Sequence, residues 1–470
     1  MVDSLKKNIM EESLILKLEN EEKSTRWLSW AAFVEEIKRA GYLAGPMVAV
    51  TLSQYLLQVI STMMVGHLGE LALSSSAIAI SLAGVTGFSF LLGMACALET
   101  LCGQAYGAQQ YRKLGIHTYT AIFCLILVCI PLSILWLYMG RLLVFIGQDP
   151  LISQEAGKFI LWLIPSLFAY ATFQPLVRYF QTQSLITPML ICSCASLVVH
   201  IPLCWALVFK SGLESIGGAI AISISNWLNV IFLALYMLYS PTCTKTRAPI
   251  TMELFQGIRE FFRFAIPSAV MICLEWWSYE LLILLSGLLP NPELETSVLS
   301  VCTRVSNELG AGKPQAARVA VYAAMAIAVL ETLIVTGALF ASRRVFGYIY
   351  SNEKEVVDYV TTMAPLVCAS VVLDSLQGVL SGIARGCGWQ HIGAYVNLGA
   401  FYLVGIPVAA TLAFWLQLRG VGLWIGIQFG AFTQTILLAI VTSCINWEKQ
   451  AIEARERVFQ GSSSIEYGAM

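Results

Sequence analysis

Runs of about 20 apolar residues recur along this chain, and each is long enough to cross a bilayer as a helix. The residues are 57% hydrophobic and only 12% charged, whereas a soluble domain carries roughly 25% charged residues. The mean hydropathy of +0.73 also requires a bilayer around most of the surface. We therefore predict an all-α integral membrane protein. Its eleven predicted spans are 40–62, 71–98, 117–139, 157–177, 186–208, 216–239, 264–289, 319–341, 356–380, 393–416 and 421–444.

The net charge and the cysteine pattern argue against some classes of function. The net charge of −1 gives no field that would favour a nucleic-acid partner. Most of the 13 cysteines lie inside apolar runs, and no CxxC pair occurs. We interpret them as small apolar residues, and we predict no metal and no cofactor.

The polar stretches divide the chain into five parts. We expect the break at 241–263 to be a cytoplasmic linker, because it carries several basic residues between apolar spans. Its second half, 253–264, spaces Phe255, Ile258, Phe261 and Phe262 as a helix would, which predicts an interfacial helix. The other four parts are a cytoplasmic N-terminal tail (1–39), a first six-helix bundle (40–240), a second bundle (264–445) and a C-terminal tail (446–470).

The two halves resemble each other at matched positions, which predicts an internal duplication. The offset between the paired positions is 203 or 205 residues throughout. In the fourth span and its partner, each glutamine is followed by an arginine, Arg178 or Arg385, that we assign to a loop. The pairs are Gly107-Ala108 with Gly310-Ala311, Gln174 with Gln377, Ile201-Pro202 with Ile406-Pro407, and Gly217 with Gly422.

The second half is shorter than the first near its beginning. Pro46 precedes Gly107 by 61 residues, but Pro267 precedes Gly310 by only 43. The difference is close to one membrane helix. We expect the partner of 71–98 to be missing between 289 and 304, which leaves eleven spans of a twelve-span plan. The positive-inside rule favours the twelve-span plan with both ends cytoplasmic and conflicts with eleven spans.

Carboxylates inside apolar spans are the candidate functional groups, because a charge at mid-helix costs about 2.5–3.5 kcal/mol on insertion scales. Glu275 and Glu280 lie in span 264–289, and Asp374 lies in span 356–380. Glu331 is a weaker candidate in span 319–341. The first half offers only amides and hydroxyls at mid-span. Each acid has an ordinary alternative role, which is a structural hydrogen bond between helices.

A carboxylate in an apolar cavity can exchange a proton for a cation, since it attracts cations when ionised and retains a proton when desolvated. Aromatic faces near Glu275 suit quaternary or aromatic cations, although packing explains these aromatics equally well. We predict coupling to H⁺ rather than Na⁺, because no cage of further oxygen ligands surrounds the acids. The candidate cavity residues are Gln54, Tyr55, Asn226, Trp276, Tyr279 and Gln377.

Four segments resemble hallmarks of the multidrug and toxic compound extrusion (MATE) family. Three of them are 64–72, 98–107 and 303–312, and the fourth, 267–292, resembles the plant detoxification-type branch. The resemblance implies two bundles that rock about a central cavity and exchange protons for organic cations or plant metabolites. The family's second-bundle carboxylates match Glu275, Glu280 and Asp374. The family's eighth helix matches nothing here, because Val301-Cys302 runs directly into Thr303-Arg304.

The leading hypothesis is a secondary antiporter, not an enzyme. We expect a monomer in the plasma or vacuolar membrane, with small organic molecules and lipid as its partners. A membrane-embedded prenyl or acyl transferase would need clustered acids, and no DxxD or ExxE pair lies at a span end. A third hypothesis is a transport-deficient isoform that interferes with a full-length sibling.

Overall fold

A computed structural model describes residues 30–249, 251–286, 304–346 and 354–466. These residues form helices and connecting turns, with no strand among them. Within them, ten helices are long and apolar enough to cross a membrane. The ten coincide with ten of the predicted spans, and span 264–289 overlaps a further helix, Ile258–Ser286. The predicted all-α membrane architecture is confirmed.

The first half begins with a long helix, α1, that contains Pro46. The second span is interrupted by a π-helical turn, Gly84–Phe88. The fourth span, α7, begins where Asp149 caps it, since the Asp149 carboxylate accepts the backbone N–H groups of Leu151 and Ile152 at 2.9 and 3.1 Å. The helices are α1 Trp30–Gly66, α2 Glu70–Ala83, α3 Ser89–Ala95, α4 Ala97–Gly107, α5 Tyr111–Leu137, α6 Met139–Ile146, α7 Pro150–Thr182, α8 Ile186–Trp205 and α9 Glu214–Tyr239.

The second half repeats this pattern with fewer residues. A helical segment over 304–310, α12, occupies the place of α4 in the repeat. The tenth of the eleven predicted spans is broken by π-helical turns at Leu398–Gly405 and Thr411–Trp415. The remaining helices are α10 Glu253–Gln256, α11 Ile258–Ser286, α13 Pro314–Phe346, α14 Lys354–Cys387, α15 Gln390–Asn397, α16 Ile406–Ala410, α17 Arg419–Ser443 and α18 Trp447–Glu466.

The structure supports the duplication through equivalent packing. A π-helical turn ends the fifth span at Ala206–Lys210 and its partner at Thr411–Trp415. In the first half, a β-carbon on Gly217 would overlap the backbone of Leu207. In the second half, a β-carbon on Gly422 would lie 2.7 Å from the carbonyl carbon of Leu412. Close helix approach at these glycines is therefore shared by both halves.

Helix α11 packs against both halves. Phe261, Phe264, Ala265 and Ala269 belong to the hydrophobic core of the first half. On its other side α11 packs against α15 and α17. Among the described residues, the second half has no helix that corresponds to α2 and α3. The predicted gap between 289 and 304 falls largely on 287–303, which lie outside the described residues.

The linker differs in detail from the expected interfacial helix over 253–264. A single turn, α10, is followed directly by α11, so the segment is divided at Gly257. Phe255 packs edge-on against Phe123, with ring centroids 5.2 Å apart. Phe261 is only 1% exposed, because it faces the core of the first half. The linker is thus attached to the first half by aromatic packing.

The last helix, α18, crosses one end of the molecule and contacts both halves. The Lys113 ammonium, at the start of α5, donates to the carbonyl of Val458 in α18. Arg457 of α18 donates to the carbonyl of Cys387 in the second half at 3.4 Å. Its guanidinium also lies over the ring of Phe264, 5.9 Å from the centroid. The C-terminal helix therefore links the two halves across their junction.

Candidate functional site

Glu275 is the predicted coupling residue, and the structure places it among amides of the second half. Its carboxylate is partly buried on α11. Gln377 on α14 and Gln434 on α17 are buried polar residues near it. Arg385 lies about two turns beyond Gln377 on the same helix. Of the sequence-predicted residues, the structure thus brings together Glu275 and Gln377.

An amide network holds one of these partners in place. Gln434 is fully buried, and its amide nitrogen donates to the Asn397 side-chain oxygen at 2.7 Å. Asn397 in turn donates to the carbonyl of Met271 at 2.8 Å, one turn before Glu275. The network ties α11, α15 and α17 together around the carboxylate. Sequence reasoning missed Asn397 and Gln434, because amides are common in apolar spans and nothing in the sequence marks these two.

One face of α14 carries a polar stripe that includes Asp374. Asp374, Gln377, Ser381 and Arg385 follow each other at intervals of three and four residues, so they line one side of the helix. Asp374 is partly buried, whereas Gln377, Ser381 and Arg385 are at most 5% exposed. The stripe spans about 16 Å at 1.5 Å per residue. It connects the level of Asp374 with the end of the span.

The aromatic candidates beside Glu275 face the first half. Trp276 packs in a cluster with Leu92, Cys96 and Ile272. Trp277 is 40% exposed and donates its indole N–H to the carbonyl of Val85 at 3.0 Å. This bond ends on the π-helical turn of the second span, and such turns are frequent at functional sites. The side chains of Tyr279 and Glu280 lie outside the described residues.

The candidate cavity residues of the first half are separate from Glu275 in their described contacts. Gln54 and Tyr55 are partly buried on α1. Asn226 donates to the hydroxyl of Ser166 at 2.6 Å, which joins α9 to α7. A cavity of about 290 Å³ opens between these two helices, and Trp162, Pro165, Ile224 and Trp227 are among the residues lining it. It contains no charged residue, so it does not suit a cation.

A buried ion triad joins the two halves, and sequence reasoning missed it. The Glu99 carboxylate lies 3.0 Å from Arg178 Nε through Oε1 and 3.0 Å from Arg385 Nε through Oε2. The Glu99 side chain has no exposed surface, and those of Arg178 and Arg385 are 1% and 6% exposed. The assignment of both arginines to loops is wrong, because they are buried within α7 and α14. The sequence did contain a signal for this placement, because a charged residue that directly follows an apolar run can still lie inside the helix.

Neutral hydrogen bonds surround the triad and also cross between the halves. The Thr100 hydroxyl donates to the carbonyl of Arg385 at 2.5 Å and accepts from Gln390 Nε2 at 2.7 Å. The Ser306 hydroxyl donates to the carbonyl of Thr100 at 3.2 Å. The Asn307 amide donates to a first-half carbonyl at 3.1 Å. All these side chains are buried, so this end of the molecule is closed to water. We call the set Glu99, Thr100, Ser306, Asn307, Arg385 and Gln390 the inter-half seal.

The family profile MatE matches residues 46–206 and 296–411, which together make up more than half of the chain. The chain belongs to the MATE family. The second match begins at residue 296, so span 264–289 lies outside it. This MATE protein is therefore a multi-pass membrane transporter by family and by fold, as the resemblance of its motifs predicted.

Relatives and solved structures agree with this assignment. The chain is 61% identical to Protein DETOXIFICATION 12 of Arabidopsis thaliana over 466 residues, covering 95% of this chain and 97% of the relative. It is 60% identical to Protein DETOXIFICATION 14 of the same plant over 445 residues, covering 91% and 92%. The crystal structure of the eukaryotic MATE transporter AtDTX14 superposes with a TM-score of 0.85 at 60% identity, covering 91% of this chain and 99% of that one. The Vibrio cholerae MATE transporter VcmN in its bent form gives 0.75 at 14% identity, covering 91% and 99%, which shows the shared fold.

Proposed function

We propose that this protein is a proton-coupled antiporter that exports organic cations or plant secondary metabolites by alternating access. The observation that supports this is the site of Glu275, a carboxylate on an apolar helix beside the amide network of Asn397 and Gln434. Such a group is ionised or protonated according to what occupies the site, and a cation can replace the proton. Reaction chemistry is not part of the proposal: the protein moves its substrate unchanged.

The coupling ion in this proposal is H⁺ rather than Na⁺. A hard cation such as Na⁺ is held best by several oxygen ligands. The sequence offers isolated carboxylates in the second half without an obvious cage of further oxygen ligands. Glu280 and Asp374 remain proposed secondary acids of the same site, with substrate contacts from Trp276 and Gln377. The protein acts as a monomer in the plasma or vacuolar membrane.

The test is transport in proteoliposomes by the purified protein with one apolar helix restored between 289 and 304. An imposed pH difference should drive movement of a fluorescent organic cation such as ethidium, and a protonophore should abolish it. Protein-free liposomes give the background. Cation movement that ignores the pH difference would contradict antiport with protons.

A second candidate is a transport-deficient isoform that interferes with its full-length sibling. It is supported by the short spacing between Pro267 and Gly310 and by the packing of α11 into the core of the first half. Co-expression distinguishes the two, since an interfering isoform lowers the transport rate of the sibling at constant sibling abundance.

A further inference from the structure

We propose that His200 is a proton-binding site of the first half. Its imidazole is neutral while α1 packs against α8 and α9, and it takes up a proton when that contact opens. The site is separate from Glu275, and the inference goes beyond the proposed function because it gives the first half an acid response of its own. Sequence reasoning missed His200, since one histidine in an apolar run does not reveal its partners.

His200 joins three helices of the first half. Its Nε2 lies 3.0 Å from the Ser61 hydroxyl on α1, and its Nδ1 lies 2.8 Å from the Ser225 hydroxyl on α9. The Ser61 hydroxyl also lies 3.6 Å from the Cys204 thiol, one turn further along α8. Ser61, His200 and Ser225, which we call the histidine bridge, have no exposed surface. A neutral imidazole satisfies both serine contacts, because one ring nitrogen donates while the other accepts.

The second half has glycines in place of this bridge. At the offset of 205 residues, His200 and Ser225 correspond to Gly405 and Gly430. A β-carbon on Gly405 would lie 3.2 Å from the α-carbon of Gly430, so the helices approach each other there through their backbones. The same helix pair therefore packs in the second half without a titratable side chain. Packing alone does not explain why the first half has an imidazole at this point.

A proton on His200 would place an uncompensated charge in the packed contact. The described contacts of the histidine bridge include no charged side chain. Lys210 is ten residues after His200, and Glu214 is eleven before Ser225, which puts each about 15 Å away along its helix. A buried charge without a partner is costly. The groups nearest in sequence that titrate on these helices or just beyond them are Tyr55, His67, Cys194 and Cys204.

Separation of the helices would remove this cost. Water could then solvate the imidazolium, and both serines could remain its partners. A hydroxyl that donates to a neutral ring nitrogen can rotate and accept from a protonated one. The histidine bridge thus allows either protonation state in its hydrogen bonds, and burial selects the neutral one.

Proton counting gives the direction of the pH dependence. The packed contact binds no proton at His200, whereas the opened contact binds one with the ordinary histidine pKa of about 6.5. The packed contact is therefore most stable above about pH 7.5 and weakens as the pH falls through about 6.5. Between about pH 7.5 and 5.5, uptake of one proton raises the opened population about tenfold.

The test is hydrogen–deuterium exchange at pH values of about 7.5 and 5.5, on either side of the ordinary histidine pKa. The purified full chain is studied in nanodiscs, with rates corrected for the intrinsic pH dependence of amide exchange. Peptides covering Ser61 and Ser225 report on the contact, and a peptide from α5 is the internal reference. Exchange in the two reporting peptides should rise about tenfold at the lower pH.

His200→Gln keeps a hydrogen-bonding side chain without a group that titrates, so it should remove this rise. His67→Gln is the matched control, since His67 is an exposed histidine of the same half, and it should retain the rise. An equal rise in His200→Gln and the unmodified chain would overturn the inference.

Ser225→Ala distinguishes a proton-binding role from a structural one. It removes one partner of the ring but keeps the imidazole, so exchange should be faster at both pH values and should still rise at the lower one. If the bridge only packs, His200→Gln and Ser225→Ala will both speed exchange and leave the pH response unchanged, which would refute proton binding.

Histidine ¹⁵N NMR reads the protonation state directly. The signals of His200 are identified by their loss in His200→Gln, and they should be those of a neutral ring at about pH 7.5, above the ordinary histidine pKa. Signals of an imidazolium at that pH would also overturn the inference.

Discussion

Gly107 lies directly against the carbonyl oxygen of Asn307, so closely that a β-carbon on Gly107 would overlap it. The reciprocal contact exists 203 residues further on, where a β-carbon on Gly310 would overlap the backbone of Gln104. The two glycines are equivalent in the repeat, and so are Gln104 and Asn307. The halves therefore meet at the seal through the same surface used twice, as in an isologous dimer interface.

Gly107→Ala should weaken this contact. An added methyl group meets rigid backbone rather than a movable side chain, and overpacking of this kind typically costs about 1–3 kcal/mol. We expect a lower melting temperature and faster hydrogen exchange in α12. Gly337→Ala is the matched control, because a β-carbon there meets nothing within 4 Å, and it should leave stability unchanged or raise it. Equal melting temperatures for Gly107→Ala and the unmodified chain would contradict the packing argument.

The sequence was sufficient for the spans, and for naming Glu275 as a candidate, because both are local signals. An apolar run of bilayer length, or an acid within one, can be recognised without knowing what packs beside it. The inter-half seal was not predictable in this way. Glu99 and Arg385 are 286 residues apart and each stands near a span end, where a charge is normally solvated. Their pairing depends on how two halves dock, which one sequence does not reveal.

Glu275→Gln should reduce proton-driven cation transport to the level of protein-free liposomes, because the amide can neither release a proton nor attract a cation. Vesicle efflux measured against an imposed pH difference is the assay, in a version of the chain with the eighth helix restored. Glu331→Gln is the matched control, a second acid within an apolar span of the second half, and should transport normally. Wild-type rates in Glu275→Gln protein would remove Glu275 from the mechanism.

The coupling ion can be identified by imposing a Na⁺ gradient and a pH gradient separately. With the helix-restored chain and equal pH on both sides, an imposed Na⁺ gradient should drive no cation transport, since the sequence shows no obvious cage of further oxygen ligands around the acids. With Na⁺ absent, a pH difference should drive transport fully. Transport that follows the Na⁺ gradient at fixed pH would reverse this assignment.

We predict that the chain as it stands transports poorly, and that insertion of one apolar helix between 289 and 304 restores activity. The reason is topological: the charged segment 291–314 cannot cross the bilayer, yet the duplicated plan puts Pro290 outside and Gly310 inside. Efflux at matched membrane expression compares the two versions. Equal rates would show that the helix is dispensable.

Glycosylation acceptors near Lys313 and at the C-terminus provide a topological check. If eleven spans insert from a cytoplasmic N-terminus, the C-terminal acceptor should be modified. If both acceptors remain unmodified while 264–289 still crosses, another segment must span, and the count of eleven is wrong.

Helix α18 touches both halves through Lys113 with Val458 and through Arg457 with Cys387, so the C-terminal helix is attached across the joint that the proposed alternating access would move. A fluorescent protein or affinity tag fused there would be attached to α18, and its bulk would hinder separation of the two halves. A tag for assays of this protein is therefore best placed at the N-terminus. A C-terminal reporter whose signal changes with substrate would, for the same reason, serve as a sensor of the transport cycle.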